Sequence, residues 1–479
     1  MKPQGSAQQT AEHAHGRAAG PPPNVLYLHC HDLGRHCSAY GHPVPTPALE
    51  ALAAGGVTYR NAFCVSPTCS PSRAALLTGQ PPHRCGQWGL SNRGDPLRRV
   101  DHHLAGFLGD AGYRTALLGV QHVVGHEAEL PYDHIAPEAV GYAVGEKEAE
   151  NLAAPVADRA VAWLEEHGRG DAPWFLDAGT LETHTGAWRF LGDDEPDQAE
   201  VDRTRPPLLV PDTPGARRWY ARHRAMARRM DAAVGRVLAA LDRLGLAETT
   251  LVVFTTDHGI GLPTAKCNLT DAGLEVSLIL RGPGFRGGHT RWPVVTHLDV
   301  FPTVCAAAGL TPPAWLEGSP LQALEAPGAG TGPEALHKAT FGEVNRHGGP
   351  QPSRSVRTGR HKLIRRWHGP EELAFNTDGR DTKAEMLAAG WPQRMPAGRP
   401  GPGGSTDLLF DLALDPTERR DLSGDPGSAA TLARLRGLLQ RRMQRTDDPL
   451  LRGPDALPAP RGRTPASPDA APAPVAAHA

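Results

Sequence analysis

Short apolar runs punctuate the chain. Residues 24–29 (NVLYLH), 115–119 (TALLG), 174–178 (WFLDA), 250–255 (TLVVFT) and 275–280 (EVSLIL) are of strand length and nearly continuous in apolar character. They lack the alternation of a half-exposed strand, so they predict strands buried on both faces. Between them, apolar residues recur at helical spacing over 47–54, 72–78, 104–111, 154–167, 216–244 and 299–308, the fifth with a break expected near Gly235. Strand–helix alternation of this kind predicts an α/β fold, a large mostly parallel sheet sandwiched by helices. The texture changes after residue 325, where APGAGTGPEA reads as a linker. Short strand-like runs at 339–344, 355–358, 361–366 and 407–411 and a helix over 428–444 then predict a smaller C-terminal antiparallel α+β subdomain. The Gly/Pro-rich stretch 369–405 reads as a surface insertion. The expected organisation is a disordered lead (1–22), a main domain (23–330), the subdomain (331–455) and a disordered Pro/Ala-rich tail (456–479).

A net charge of −2 leaves no global field for nucleic acid or an anionic membrane, so neither is an expected partner. No apolar stretch approaches the ~20 residues of a bilayer span. The opening MKPQGSAQQTAEHAHGRAAGPPP lacks a signal-type apolar run, which predicts a soluble, cytoplasmic protein. The seven cysteines are odd in number and contain no CxxC pair. A disulfide framework or a closed zinc knuckle is therefore not expected. Gly282 to Gly287 match GxGxxG, but Pro283 and the missing helix after it indicate a turn. The Arg-rich run 217–229, with Asp231 and Asp242 nearby, reads as a solvated helix face. Arg354, Arg357, His347 and Glu343 are candidates for the mouth of a site.

In a parallel sheet, ligands bind beyond the carboxyl ends of the strands. Four strand ends here deliver His, two of them with Asp and one with Glu: His29-Cys30-His31-Asp32, Asp257-His258, Val120-Gln121-His122 and Glu182-Thr183-His184. Carboxylate plus imidazole suits a divalent cation, so the four sets point to a metal-assisted site. Cys69-Ser70-Pro71-Ser72-Arg73 adds a cysteine just before a Pro-started helix. The positive end of that helix, with Arg73 beside it, favours an anion.

CSPSRAALLTG resembles the sulfatase signature C-x-P-x-R, whose Cys becomes formylglycine. PNVLYLHCHDLG and LVVFTTDHG resemble the two metal-binding strands of that family, and LLFDLALDPTERRDL its C-terminal segment. The order matches, and the resemblance spans residues 23–450. SPTCSPSRAALLTGQPPHRCGQWGL, Pro263 and Lys266 after Asp-His-Gly-Ile, RSVRTGRHKLI and RTDDPLL are most similar to the heparan N-sulfatase (sulfamidase) branch.

The resemblance implies an alkaline phosphatase-like fold and a hydrolase acting on sulfate esters or sulfamates of sugars. It implies a formylglycine-generating enzyme as partner for Cys69, and one divalent metal held by His31, Asp32, Cys69, Asp257 and His258. A hydroxyl of the hydrated aldehyde would attack sulfur, the alcohol or amine would leave, and the second hydroxyl would expel sulfate. Arg73 and Lys266 would supply positive charge. His122 would be the base, and His184 would protonate the leaving group or bind sulfate.

Three departures from the family pattern stand out. The usual Asp-Asp pair is His31-Asp32, which keeps Ca2+ first but brings Mn2+ or Zn2+ close behind. Val120 replaces a lysine expected two residues before His122, with His29 and His126 as nearby substitutes. The His184 segment reads ETHTG where Pro-His is commoner. Two alternatives follow: a phosphodiesterase or phosphonate monoester hydrolase of the same superfamily, and a catalytically weakened sugar-binding relative. The intact C-x-P-S-R counts against the second.

Overall fold

The run NVLYLHC supplies apolar side chains to both faces of one strand, and Val25 to Cys30 are all buried. This central strand belongs to a computed structural model that describes residues 21–136, 146–368, 383–385, 388 and 398–461. Residues 1–20 of the expected lead, 462–479 of the expected tail, and most of the 369–405 insertion lie outside the described residues. The larger sheet contains β1 (Asn24–Cys30), β2 (Val57–Phe63), β3 (Arg114–Leu117), β4 (His134–Ile135), β5 (Trp174–Gly179), β6 (Thr250–Thr256), β7 (Leu278–Arg281) and β8 (His289–Thr296). Their order is β4-β3-β5-β1-β6-β7-β2-β8. β7 is antiparallel to both neighbours, and every other pairing is parallel.

The helices are α1 (Pro47–Gly55), α2 (Cys69–Thr78), α3 (Pro82–Cys85), α4 (Leu104–Asp110), α5 (Ala153–His167), α6 (Gln198–Arg203), α7 (Pro214–Arg243), α8 (Asp271–Leu274), α9 (Val300–Ala308) and α10 (Ala429–Arg445). α5, α7 and α1 pack in series, and α2 packs against α4 and α9. None of the described helices is long and apolar enough to cross a membrane.

Several expectations are corrected. α7 runs unbroken through Gly235. That glycine serves packing instead, since a Cβ there would stand 3.2 Å from the Ala48 Cβ of α1. α2 begins at Cys69 itself, with Pro71 inside its first turn, and not after the cysteine. Of the run 275–280 only the end is strand, and it runs against its neighbours. β2 and β8 were not anticipated, because Arg60 interrupts one and Arg291 and Pro293 the other. The GxGxxG segment is a turn: Gly282 and Phe285 exchange backbone hydrogen bonds at 3.0 and 2.9 Å, and β8 follows. The arginines of α7 form surface pairs, Arg222 with Glu195 at 2.6 Å and Arg228 with Glu200 at 3.3 Å. Asp231 is buried, however, and accepts from the N–H groups of Ala48 and Leu49, both at 2.9 Å.

The smaller sheet is antiparallel, formed by β9 (Thr340–Arg346), β10 (Pro350–Arg357), β11 (His361–Arg366), β12 (Arg399–Pro400) and β13 (Thr406–Asp411) in the order β12-β13-β11-β10-β9. Leu435, Leu439 and Met443 of α10 pack on Val356, Leu363 and Leu409 of this sheet. Val344, Ile364, Leu408 and Phe410 join the main core. Three residues considered for a site mouth are instead in buried or part-buried ion pairs. Arg354 is bidentate to Asp448 (2.5 and 2.9 Å), Arg357 meets Asp271 at 3.0 Å, and Glu343 bonds His83.

Candidate active site

β3, β5, β1 and β6 are consecutive in the sheet, so the four polar strand ends emerge side by side. Register aligns them: His29 pairs with Gly179 of β5 and with Thr255 of β6. β1 thus delivers His31 and Asp32 beside Asp257 and His258. Asp32 takes a left-handed backbone (φ 46°), which lets its N–H reach Asp257 Oδ1 at 2.9 Å. His122 adopts the same region (φ 58°). Strained residues of this kind cluster at functional sites.

Cys69 opens α2 against this group. Its Sγ lies 3.4 Å from His258 Nε2. His258 Nε2 is 3.2 Å from Asp32 Oδ1 and 3.7 Å from Asp257 Oδ1. His31 Nδ1 is 2.9 Å from Asp257 Oδ2. One donor atom each from His31, Asp32, Cys69 and Asp257 lies within 4.8 Å of the others, and all four residues are buried. This donor set of carboxylates, imidazoles and sulfur fits one divalent cation.

Two cations border it. Arg73 Nη2 donates to Asp257 Oδ2 at 3.3 Å, and Lys266 Nζ lies 2.9 Å from Asp32 Oδ2. His122 and His184 flank His31, with ring centroids 6.2 and 5.6 Å away. The structure therefore brings all nine sequence-predicted site residues together. Burial, reinforced by Arg73, pushes the imidazoles of His31 and His122 well below their ordinary range. Burial alone would raise the Asp257 carboxyl. His258, His31 and Arg73 outweigh that and hold it well below the usual carboxylate range.

The residues around the departures are rearranged. Val120 is buried with Leu181, Ala187 and Met226 in an apolar cluster. His126 is exposed. His29 is buried within a chain of bonds: Arg73 Nη1 donates to its Nδ1 at 2.7 Å, and its Nε2–H donates to Asp177 Oδ1 at 2.8 Å. Tyr132 donates to Asp177 Oδ2 at 2.7 Å. Burial lowers the His29 imidazole, so it serves Arg73 as a neutral acceptor. Asp177 and Tyr132 were missed from sequence. The available signal was a carboxylate inside an otherwise apolar strand, WFLDAG.

The family model described as Sulfatase matches residues 23–310. Human N-sulphoglucosamine sulphohydrolase is 30% identical over 490 aligned residues, covering 92% of this chain and 94% of that protein. BT4656, solved in complex with its substrate D-glucosamine-2-N,6-O-disulfate, has a TM-score of 0.67 at 17% identity and covers 89% of this chain and 98% of its own. The phosphonate monoester hydrolase of Silicibacter pomeroyi has a TM-score of 0.64 at 22% identity, covering 88% of this chain and 96% of its own. The two structures speak for the fold, which is that of the alkaline phosphatase-like sulfatases. The full-length relative and the matched model settle the family: this chain belongs to the sulfatases and is a sulfuric ester hydrolase.

Proposed function

We propose that the protein hydrolyses sulfate esters or sulfamates on sugars, with a formylglycine made from Cys69 as its nucleophile. The observation that carries this reading is the position of Cys69 Sγ, at the start of α2 and inside the His31–Asp32–Asp257–His258 cluster. A divalent cation held there would lower the pKa of a hydroxyl and neutralise sulfate oxygens. Family resemblance puts Ca2+ first, while the imidazoles of His31 and His258 bring Mn2+ and Zn2+ within the donor chemistry.

The chain's own residues supply the rest. Arg73, held by Asp257 and His29, and Lys266, held by Asp32, present fixed positive charge where sulfate charge develops. His122, kept neutral by burial and Arg73, accepts a proton from the nucleophile. His184 Nδ1 accepts from the Gly186 N–H at 3.0 Å, so the neutral ring carries its proton on Nε2, the atom that protonates the leaving group or binds sulfate. N-sulfated glucosamine is the substrate class favoured by the 30% identical relative, whose name specifies it. A formylglycine-generating enzyme is the required partner.

The second reading is hydrolysis of phosphate diesters or phosphonate monoesters. The phosphonate hydrolase fold and the loss of one carboxylate at His31 support it. Turnover of an aryl sulfate and an aryl phosphodiester on one converted preparation separates the two. Sulfate preference is expected. A strong phosphodiester preference would establish the second reading, and turnover of neither would leave the weakened sugar-binding relative.

A further inference from the structure

Before conversion, residue 69 is a thiol, and its surroundings are those of a zinc site. Cys69 Sγ, His258 Nε2 and Asp32 Oδ1 stand in series at 3.4 and 3.2 Å. Zn2+ takes sulfur at about 2.3 Å and nitrogen or oxygen at about 2.0–2.2 Å, so neighbouring corners of its tetrahedron lie about 3.3–3.6 Å apart. Both separations match with little movement. His258 Nδ1 lies 2.9 Å from the Gly259 carbonyl, which can only accept, so a proton on Nδ1 is held there, and Zn2+ would take the place of any proton on Nε2, the atom that faces Cys69 and Asp32. His31 and Asp257 offer donor atoms within 4.8 Å of those of Cys69 and Asp32, and Asp257 Oδ1 is 3.7 Å from His258 Nε2, so a fourth donor is at hand. Arg73 and Lys266 offset the two carboxylates.

We propose that the unconverted chain is a zinc protein, with Zn2+ bound by the Cys69 thiolate, His258, Asp32 and one of His31 and Asp257. The inference rests on the proposed function only in taking residue 69 as the site of conversion. Binding forms the S–Zn bond and releases the thiol proton to solvent. Thiolate and imidazole are the donors that select Zn2+ over Ca2+. Conversion to formylglycine removes the sulfur donor and leaves a harder, oxygen-richer site. Cys69 is only 2% exposed, so folding already withdraws the sulfur from a modifying enzyme, and bound zinc would hold it there. Chains that fold before conversion become a stable, inactive pool.

The test uses the full chain made without the formylglycine-generating enzyme, stripped by chelator and reloaded with Zn2+ or with Co2+ as a spectroscopic stand-in. One equivalent per chain, a higher Tm with Zn2+, and a thiolate-to-cobalt charge-transfer band are expected. Cys69→Ser should abolish the band and weaken Zn2+ binding beyond the roughly 10–100-fold expected when only an outer partner is lost. The converted chain, otherwise identical, serves as a second comparison and should lack the band as well. Absence of binding, Co2+ bound without the band, or a band that survives Cys69→Ser would overturn the proposal. Conversion of Cys69 is read independently by mass, so the zinc inference can fail while the sulfatase reading stands.

Discussion

At the scale of single residues, the site is built by side chains that directly follow buried strands. His31, Asp32, Asp257 and His258 could be picked out for that reason: an apolar run ends, and the next polar letters must sit at the sheet's carboxyl edge. The carboxylate of Asp177 stood out in the apolar run WFLDAG, but its role was not readable because its partner His29 lies 148 residues away and no local pattern joins them. The Arg73–His29–Asp177 chain leads to a prediction. His29→Ala removes the acceptor that aims Arg73 and leaves the Asp177 carboxylate short of a donor, at a cost of about 1–3 kcal/mol. Turnover efficiency on sulfate should fall roughly ten- to hundredfold with metal content unchanged. Steady-state kinetics with metal analysis checks this, and an efficiency within twofold of the parent would show that His29 does not position Arg73.

At the scale of elements, apolar runs identified the central strands because both of their faces are buried. β2 and β8 carry arginine, proline and polar residues in a sheet's outer part, so their strand character comes from pairing with each other. The direction of β7 was equally unreadable, since three apolar residues in a row look the same either way. α7 shows tertiary context overriding a local breaker: Gly235 is accommodated because α1 packs closely there. The same contact holds a cap, as Asp231 satisfies two N–H groups in the first turn of α1. Asp231→Ala should destabilise the protein by about 1–3 kcal/mol, read by denaturant unfolding. A change near zero would mean that water caps α1 equally well.

At the scale of the whole molecule, folding removes many imidazoles from water. Burial lowers His103 to about 4 and His223 to about 3, from an ordinary 6.5. The unfolded chain therefore takes up protons that the folded chain refuses. This stability is fully present above pH 6.5 and is lost as pH falls toward the folded values. At about 1.4 kcal/mol per proton and pH unit, these two residues remove about 3 kcal/mol between pH 7.5 and 5.5. Urea unfolding at the two pH values should show that loss, and equal stability would contradict it. The smaller sheet is fastened by buried ion pairs such as Arg354–Asp448, and of these two Arg354 was a candidate for the mouth of a site. Composition reveals charges but not whether they face solvent or one another.

The proposed nucleophile is the aldehyde made from Cys69. It is tested most directly by mass spectrometry of the peptide spanning Cys69, after the chain is produced together with a formylglycine-generating enzyme. The expected peptide carries an aldehyde in place of the thiol, in a preparation that cleaves sulfate. An intact thiol in a preparation that still cleaves sulfate would contradict it.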